Sequence, residues 1–367
     1  MAKIIGLVNL HSDVSLGGLT ERRPAASVSF LGRYGIIDIV LSNLSNSGID
    51  TVGVLIKEKP RSLFKHLGNG NAWNFNSKKG GVSFLYNEGA SGPYNHDVNN
   101  LIENIAFLDK NTADYVVIAP AHIITTMNFA DLVDEHEKSG AEVSVVYKKI
   151  KDGKEAFIGE DIVKVEDGVV TGFDVNKGNR KNTTVSLNTY IFNKDALYKV
   201  LKKAQKASVF FDLRDTLNYM VDEAKINAVE FKGFAANINS FETYYDTCMK
   251  FLDRDVNTAV FKSNWPIFTN TNDTPPAKYL KNSSVKNSFV ANGVICDGEI
   301  QDSIIGREVT IGKGAVIKNS IIFSGAKIGN GAVLDHVIVD KEAKIKRVTE
   351  LVGTAEKPLY VKEGDTV

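Results

Sequence analysis

Cysteine is scarce in this chain, with two in 367 residues. Cys248 and Cys296 fall in segments that read as different elements. No disulfide framework is therefore expected, and a reducing cytoplasm suits the chain. An excess of one charge is also missing. The 44 Lys and Arg residues balance 44 Asp and Glu, which argues against a nucleic-acid binder and against a polybasic membrane anchor. Long apolar runs are absent. The opening run, residues 4–10, is only strand length and carries no signal-peptide cleavage pattern, so neither a membrane span nor secretion is expected. The six histidines form no HxxxH or HExxH pair, so the sequence gives no support for a zinc site.

What is present is an ordinary globular composition in a long chain. A length of 367 residues exceeds the size at which single cores stop growing, about 250–300 residues, and implies two domains. Strand-like and helix-like stretches alternate through the first 250 residues or so. Residues 3–10, 51–56, 114–119 and 142–147 read as strands. Ile37, Val40, Leu41 and Leu44 fall at helical spacing, with Gly48 as a stop. Residues 101–108 read as one helix. Asn128 caps a further helix whose buried face is Phe129, Leu132, Val133 and His136. This order implies an α/β domain with a mostly parallel sheet and helices on both sides.

The pattern changes after about residue 252. Residues 264–278 hold three of the eight prolines and read as an ordered linker, because Trp265, Ile267 and Phe268 need burial. Twelve apolar residues from Phe289 to Leu351 then recur at steps of six, slipping to five at four places, with glycines between them. That period indicates a parallel β-helix of hexapeptide repeats. The division is 1–252 for the α/β domain, 253–283 for the linker and 284–367 for the β-helix.

The chemistry expected of a doubly wound sheet is poorly represented. The loop after the first strand, residues 9–19, has only Gly17 and Gly18, displaced from the strand end where a phosphate would be cradled. The central strand 114–119 ends in Pro120-Ala121-His122, with no carboxylate for Mg²⁺. Asp131, Asp134 and Glu135 follow on a helix and read as a solvated face.

Residues 30–49 (FLGRYGIIDIVLSNLSNSGI), 51–56 (TVGVLI), 114–129 (DYVVIAPAHIITTMNF), the 264–278 linker and the hexapeptide tail together resemble bacterial glucose-1-phosphate adenylyltransferase. The resemblance implies a Rossmann-like nucleotidyltransferase domain followed by a left-handed β-helix, in a tetramer. It also implies a place in glycogen synthesis, where ATP and glucose 1-phosphate give ADP-glucose and pyrophosphate. The departures narrow it. The family's glycine-rich phosphate loop is replaced by Leu7-Val8-Asn9-Leu10-His11. Its two metal-site aspartates correspond to Ala121 and Asn237. The lysine of its KPAV motif falls on Ala25, its GTA segment appears as His96-Asp97-Val98, and Gly35 stands where the family has Arg. This pattern resembles the GlgD-type partner subunit. The resemblance therefore implies a catalytically weak or inactive cytoplasmic subunit that binds no cofactor itself. Its Mg²⁺ would sit in a catalytic partner, within a hetero-oligomer.

Arg22, Arg23, Arg33, Lys57, Lys59 and Arg61 are candidate anion or effector residues, because the family's sugar-phosphate effectors are met by basic side chains in this region. Solvated charge or salt bridges to a partner subunit are the alternative. Lys177 lies near the family's sugar-phosphate EKP motif, without its Glu. His336 suggests a hexapeptide acyltransferase, against the alternative of a surface residue at a coil corner. Trp265 reads as a core anchor. Two other functions stay open: an active sugar-nucleotidyltransferase with relocated metal ligands, Asp97 or Asp131, and a sugar-phosphate-sensing scaffold.

Overall fold

The computed structural model describes residues 2–75, 80–87, 89 and 91–367. These form two compact units whose segments alternate along the chain. The first comprises Met1–Asp13, Ile39–Asn237 and Ser263–Phe268. The second comprises Val14–Asp38, Ile238–Lys262 and Thr269–Val367.

The first unit is built on a nine-stranded sheet. Its strands are β1 (Ile4–Asn9), β2 (Thr51–Ile56), β3 (Gly81–Tyr86), β4 (Tyr115–Pro120), β5 (Val143–Ile150), β6 (Asp161–Glu166), β7 (Val169–Val175), β8 (Thr183–Asn193) and β9 (Ile226–Glu230). Their spatial order is β3–β2–β1–β4–β8–β5–β9–β7–β6. Neighbours β3, β2, β1 and β4 are parallel, as are β5 and β9. The strand β8 opposes both β4 and β5, and β7 opposes β9 and β6. Seven strands thus run one way and two against them, so the sheet is mostly parallel. The parallel half is apolar on both faces, as helix-covered strands must be: Ile5, Leu7, Val116 and Ile118 are buried on one face, and Val8, Val54 and Val117 on the other.

Local chemistry explains the helix limits. Helix Ile37–Asn46 ends before Gly48, which takes a left-handed φ of 73°. The Asn128 side chain accepts from the Ala130 N–H at 3.1 Å and starts Phe129–Ser139, which buries Phe129, Leu132, Val133 and His136. Residues 101–108, expected as one helix, are divided between Asp97–Glu103 and Ile105–Lys110. The cause is Asn104, which leaves helical geometry at ψ 22°. Its amide donates to Asn100 O at 3.0 Å and Tyr86 O at 3.3 Å, offering local bonds that compete with the helix.

The second unit carries the left-handed β-helix. Three parallel five-stranded sheets form its faces, starting at Lys278–Tyr279, Ser284–Lys286 and Phe289–Val290. Ile300, Ile317, Leu334 and Leu351 stack in one register down one face. Cys296, Ile311, Ile328 and Ile345 stack down another. Inside the coil a serine row links successive turns: Ser303 Oγ accepts from the Ser320 N–H and Ser320 Oγ from the Val337 N–H, both at 3.1 Å. At one corner Asn287, Asp302, Asn319 and His336 all adopt left-handed φ between 41° and 53°. Cys248 and Cys296 are buried free thiols. Among the described residues no helix is long and apolar enough to cross a membrane.

Candidate functional site

A cleft of about 340 Å³ opens in the first unit at the C-terminal ends of β1 and β4. Open α/β sheets bind their ligands at such strand ends. Asn9 and Pro120 close those two strands, and Lys57 follows β2.

Its polar groups are heavily interconnected. Asn9 Nδ2 donates to Asp97 Oδ2 at 2.7 Å, and Asn9 Oδ1 accepts from the His11 N–H at 3.0 Å. The other carboxylate oxygen of Asp97 accepts from the N–H groups of Val98 (2.8 Å) and Leu213 (3.0 Å). Arg214 holds Asp161 through Nε at 3.0 Å and Nη2 at 2.9 Å. Lys57 is paired with Asp13. Asp212 caps the helix Leu213–Met220 by accepting from the Asp215 N–H at 2.7 Å.

Burial controls the charges here. It pushes His11 down to about 4, outweighing the nearby Asp97, so its imidazole is neutral at physiological pH. Burial raises Asp212 to about 7, assisted by repulsion from Asp97. Asp161 is also raised by burial, against the opposing pull of Arg214.

The first two N–H groups past β1 are not available to cradle a phosphate. The Leu10 N–H donates to Leu55 O at 3.1 Å and the His11 N–H to Asn9, so neither faces an anion. Asp13 adds a carboxylate to the same wall.

Ala121 follows β4 and is 3 % exposed. Asn237 is 7 % exposed and lies on Ala235–Asn237, paired antiparallel with Ile123–Thr125 so that Asn237 faces Ile123. The fold therefore brings positions 121 and 237 into one neighbourhood. Neither is anionic, and both polar side-chain atoms of Asn237 are buried without a hydrogen-bond partner. The family's Mg²⁺ calls for hard anionic oxygens, and this donor set does not fit it. Among the described residues no three His, Cys, Asp or Glu side chains are grouped to hold a metal ion.

The proposed cations are scattered. Lys57 alone of the six lines this cleft. Lys59 contacts Glu58 at 3.2 Å, and Arg61 is exposed at the start of helix Arg61–Leu67. In the second unit, Arg23 is buried against Asp340 and donates to Leu19 O at 2.9 Å. Arg22 and Arg23 border a space of about 10 Å³, room for roughly one water. Arg33 is exposed beside a different pocket of about 310 Å³ that includes Tyr34 and Phe261. Lys177 is exposed and does not line the cleft. Asp97 is in the cleft, whereas Asp131 is exposed on its helix.

His336 is accounted for by its corner row and by Asp335, 2.7 Å from its Nδ1. Trp265 is half-buried and donates to Asn43 Oδ1 at 2.8 Å. Sequence reasoning passed over Asp13, Asp161, Asp212 and Arg214. The only local signal was the D-x-x-D cap at Asp212, which marks a helix start rather than a site.

Residues 15–254 match the family described as nucleotidyl transferase, and residues 275–357 match the GlmU-like C-terminal hexapeptide family. The glycogen biosynthesis protein GlgD of Bacillus subtilis is 32% identical over 95% of this chain and 92% of its own length. Glucose-1-phosphate adenylyltransferase of Thermotoga maritima is 32% identical over 83% of this chain and 73% of its own. The enzyme of the same name from Clostridium botulinum (strain Alaska E43) is 32% identical over 83% and 80%.

Proposed function

Because the chain belongs to the glucose-1-phosphate adenylyltransferase family, and within it to the GlgD type, we propose that it serves glycogen synthesis as a catalytically weak or inactive subunit of a catalytic adenylyltransferase. The observation that carries this reading is the pair of buried, uncharged residues Ala121 and Asn237. They stand where the resemblance expects metal-binding aspartates.

Bound Mg²⁺ would neutralise the phosphate oxygens on which nucleotidyl transfer depends. Here position 121 supplies no anion and position 237 only an amide, and the first two N–H groups past β1, those of Leu10 and His11, are bonded within the chain. Each 1.36 kcal/mol of lost transition-state stabilisation is about tenfold in rate. Three simultaneous losses place turnover several orders of magnitude below that of an intact site. Relocated ligands gain no support from the geometry, since Asp131 faces solvent and Asp97 already accepts from Asn9, Val98 and Leu213.

On this reading the catalytic partner holds the Mg²⁺ and performs the reaction, and this chain modulates or stabilises it in a hetero-oligomer. Co-expression with a catalytic homologue tests that part. The two chains should co-purify, and ADP-glucose formation should depend on the partner's carboxylates and not on the 121 and 237 positions of this chain. Failure to associate would overturn it.

A further inference from the structure

The pocket of about 310 Å³ beside Arg33 lies wholly within the second unit and shares no residue with the cleft. Three stretches distant in sequence build it. They are the hairpin of Ser29–Phe30 with Tyr34–Gly35, the helix Arg254–Val260 with Phe261 after it, and the first β-helix coil at Phe289–Val290. Leu31, Tyr34, Phe261 and Phe289 make the lining mostly apolar. The Tyr34 and Phe261 rings stand 5.3 Å apart, centroid to centroid, with planes at 38°. Small-molecule sites have this size and this kind of wall.

The hairpin turn carries strain. Leu31 is buried, yet it holds a left-handed φ of 51°, which a side chain disfavours. Strained residues of this kind persist where their surroundings fix them, and they cluster at ligand clamps. The turn that Leu31 begins delivers Arg33 to the pocket.

Arg33 is the one charged residue of the described lining. It is exposed, its guanidinium carbon lies 5.9 Å from the centre of the Tyr34 ring, and among the described residues no carboxylate is paired with it. Three charges act on Tyr34 in this wall: Arg33, Arg307 and Asp38, two cations against one carboxylate. Asp38 is fully buried and accepts from the Gly35 N–H at 2.9 Å. Further donors adjoin. The N–H groups of Phe289 and Ala291 turn to the next coil, 3.0 Å from Ser303 O and 2.9 Å from Ile305 O. Strand alternation therefore points the N–H of Val290, a lining residue, off the free edge of its sheet. Asn257 and Asn292 add side-chain amides to the lining.

One unpaired guanidinium matches one negative charge. A phosphate monoester carries about 1.5–2 charges at pH 7, and part of that would be left against apolar walls. A carboxylate is met by the planar fork of an arginine, and an aromatic body behind it suits the ring-lined space. We propose that this pocket binds an aromatic monocarboxylate, with its carboxylate on Arg33 and its ring against Tyr34 and Phe261. This ligand differs from the sugar phosphate that the resemblance implies for Arg33. The proposal does not depend on whether the chain is catalytically weak.

Titration of the full chain, followed by ligand-observed NMR, tests it with 3-phenylpropionate and indole-3-acetate as probes. The comparisons are 3-phenylpropionamide, which lacks the charge, acetate, which lacks the ring, and glucose 1-phosphate. Saturable binding of at least one aromatic acid is expected, with the amide and acetate each about tenfold or more weaker. Arg33→Gln should weaken the acid about tenfold, and Arg33→Lys less. Arg33 is exposed, so both variants should melt where the parent does. Absence of saturable binding by both aromatic acids would overturn the proposal. So would equal affinity for the acid and either its amide or acetate, an affinity unchanged in Arg33→Gln, or saturation by glucose 1-phosphate in place of the acids.

Discussion

Arg23 donates to both carboxylate oxygens of Asp340, at 2.6 Å to Oδ1, with the two residues 5% and 1% exposed. Asp340 also accepts from Tyr360 Oη at 2.9 Å, which ties segment 14–38 to the β-helix within the second unit. A buried ion pair adds little over a well-packed apolar pair, but breaking one half leaves an uncompensated charge. Asp340→Ala should therefore destabilise by about 3–5 kcal/mol, and Arg23→Met with Asp340→Leu should recover most of that loss. Chemical denaturation of the single and double variants checks it; additive losses would contradict the pairing.

Gly32 has a left-handed φ of 72°, and a Cβ there would sit 2.9 Å from Ile305 O. Gly32→Ala combines backbone strain with a clash against fixed backbone. It should lower stability by at least about 1–2 kcal/mol. Gly48, with φ of 73° but nothing within 4 Å, should show the strain alone and lose less. Thermal melts of the two variants side by side test the difference.

Asp212 and His11 give opposite pH dependences. Asp212 is raised from 3.8 to about 7, so between those values the folded state holds a proton that the unfolded state has released. Stability falls as pH rises through that window. Asp212→Asn keeps a capping side chain and removes the titration. It should be more stable than wild type at pH 8, by on the order of 1 kcal/mol after allowing for partial solvent access, and no more stable at pH 3. His11 is lowered from 6.5 to about 4, so its contribution is complete above pH 6.5 and is lost as pH falls toward 4. His11→Gln should flatten the acid limb of the stability profile.

Restoring carboxylates alone should not restore chemistry. Ala121→Asp with Asn237→Asp would supply two anions, but the strand-end N–H groups remain bonded within the chain and Asp13 remains in the wall. ADP-glucose formation by the purified double variant should stay at background. Robust turnover would show that the missing carboxylates were the whole deficit.

Much of this was legible before the structure because it is periodic or local. The six-residue step predicted the β-helix positions, and Ile300, Ile317 and Leu334 stack in register as that step requires. Asn128 and Gly48 bound their helices as turn chemistry dictates. The break at Asn104 was not legible, because it depends on Tyr86 O from a neighbouring strand. The cleft was legible only in what it lacks. Its actual network joins Asn9, Asp97 and Leu213, residues far apart in sequence that meet only through sheet order. Arg23 shows the same limit: sequence gives its charge, while only the fold reveals the buried Asp340 against it.

The most direct measurement is Mg²⁺-dependent formation of ADP-glucose from ATP and glucose 1-phosphate by the purified chain alone, set against the same chain with its co-expressed catalytic partner. The predicted result is background activity alone and turnover only in the complex, abolished by substituting the partner's metal-binding carboxylates. Turnover by the isolated chain at a rate comparable to that of the complex would contradict it.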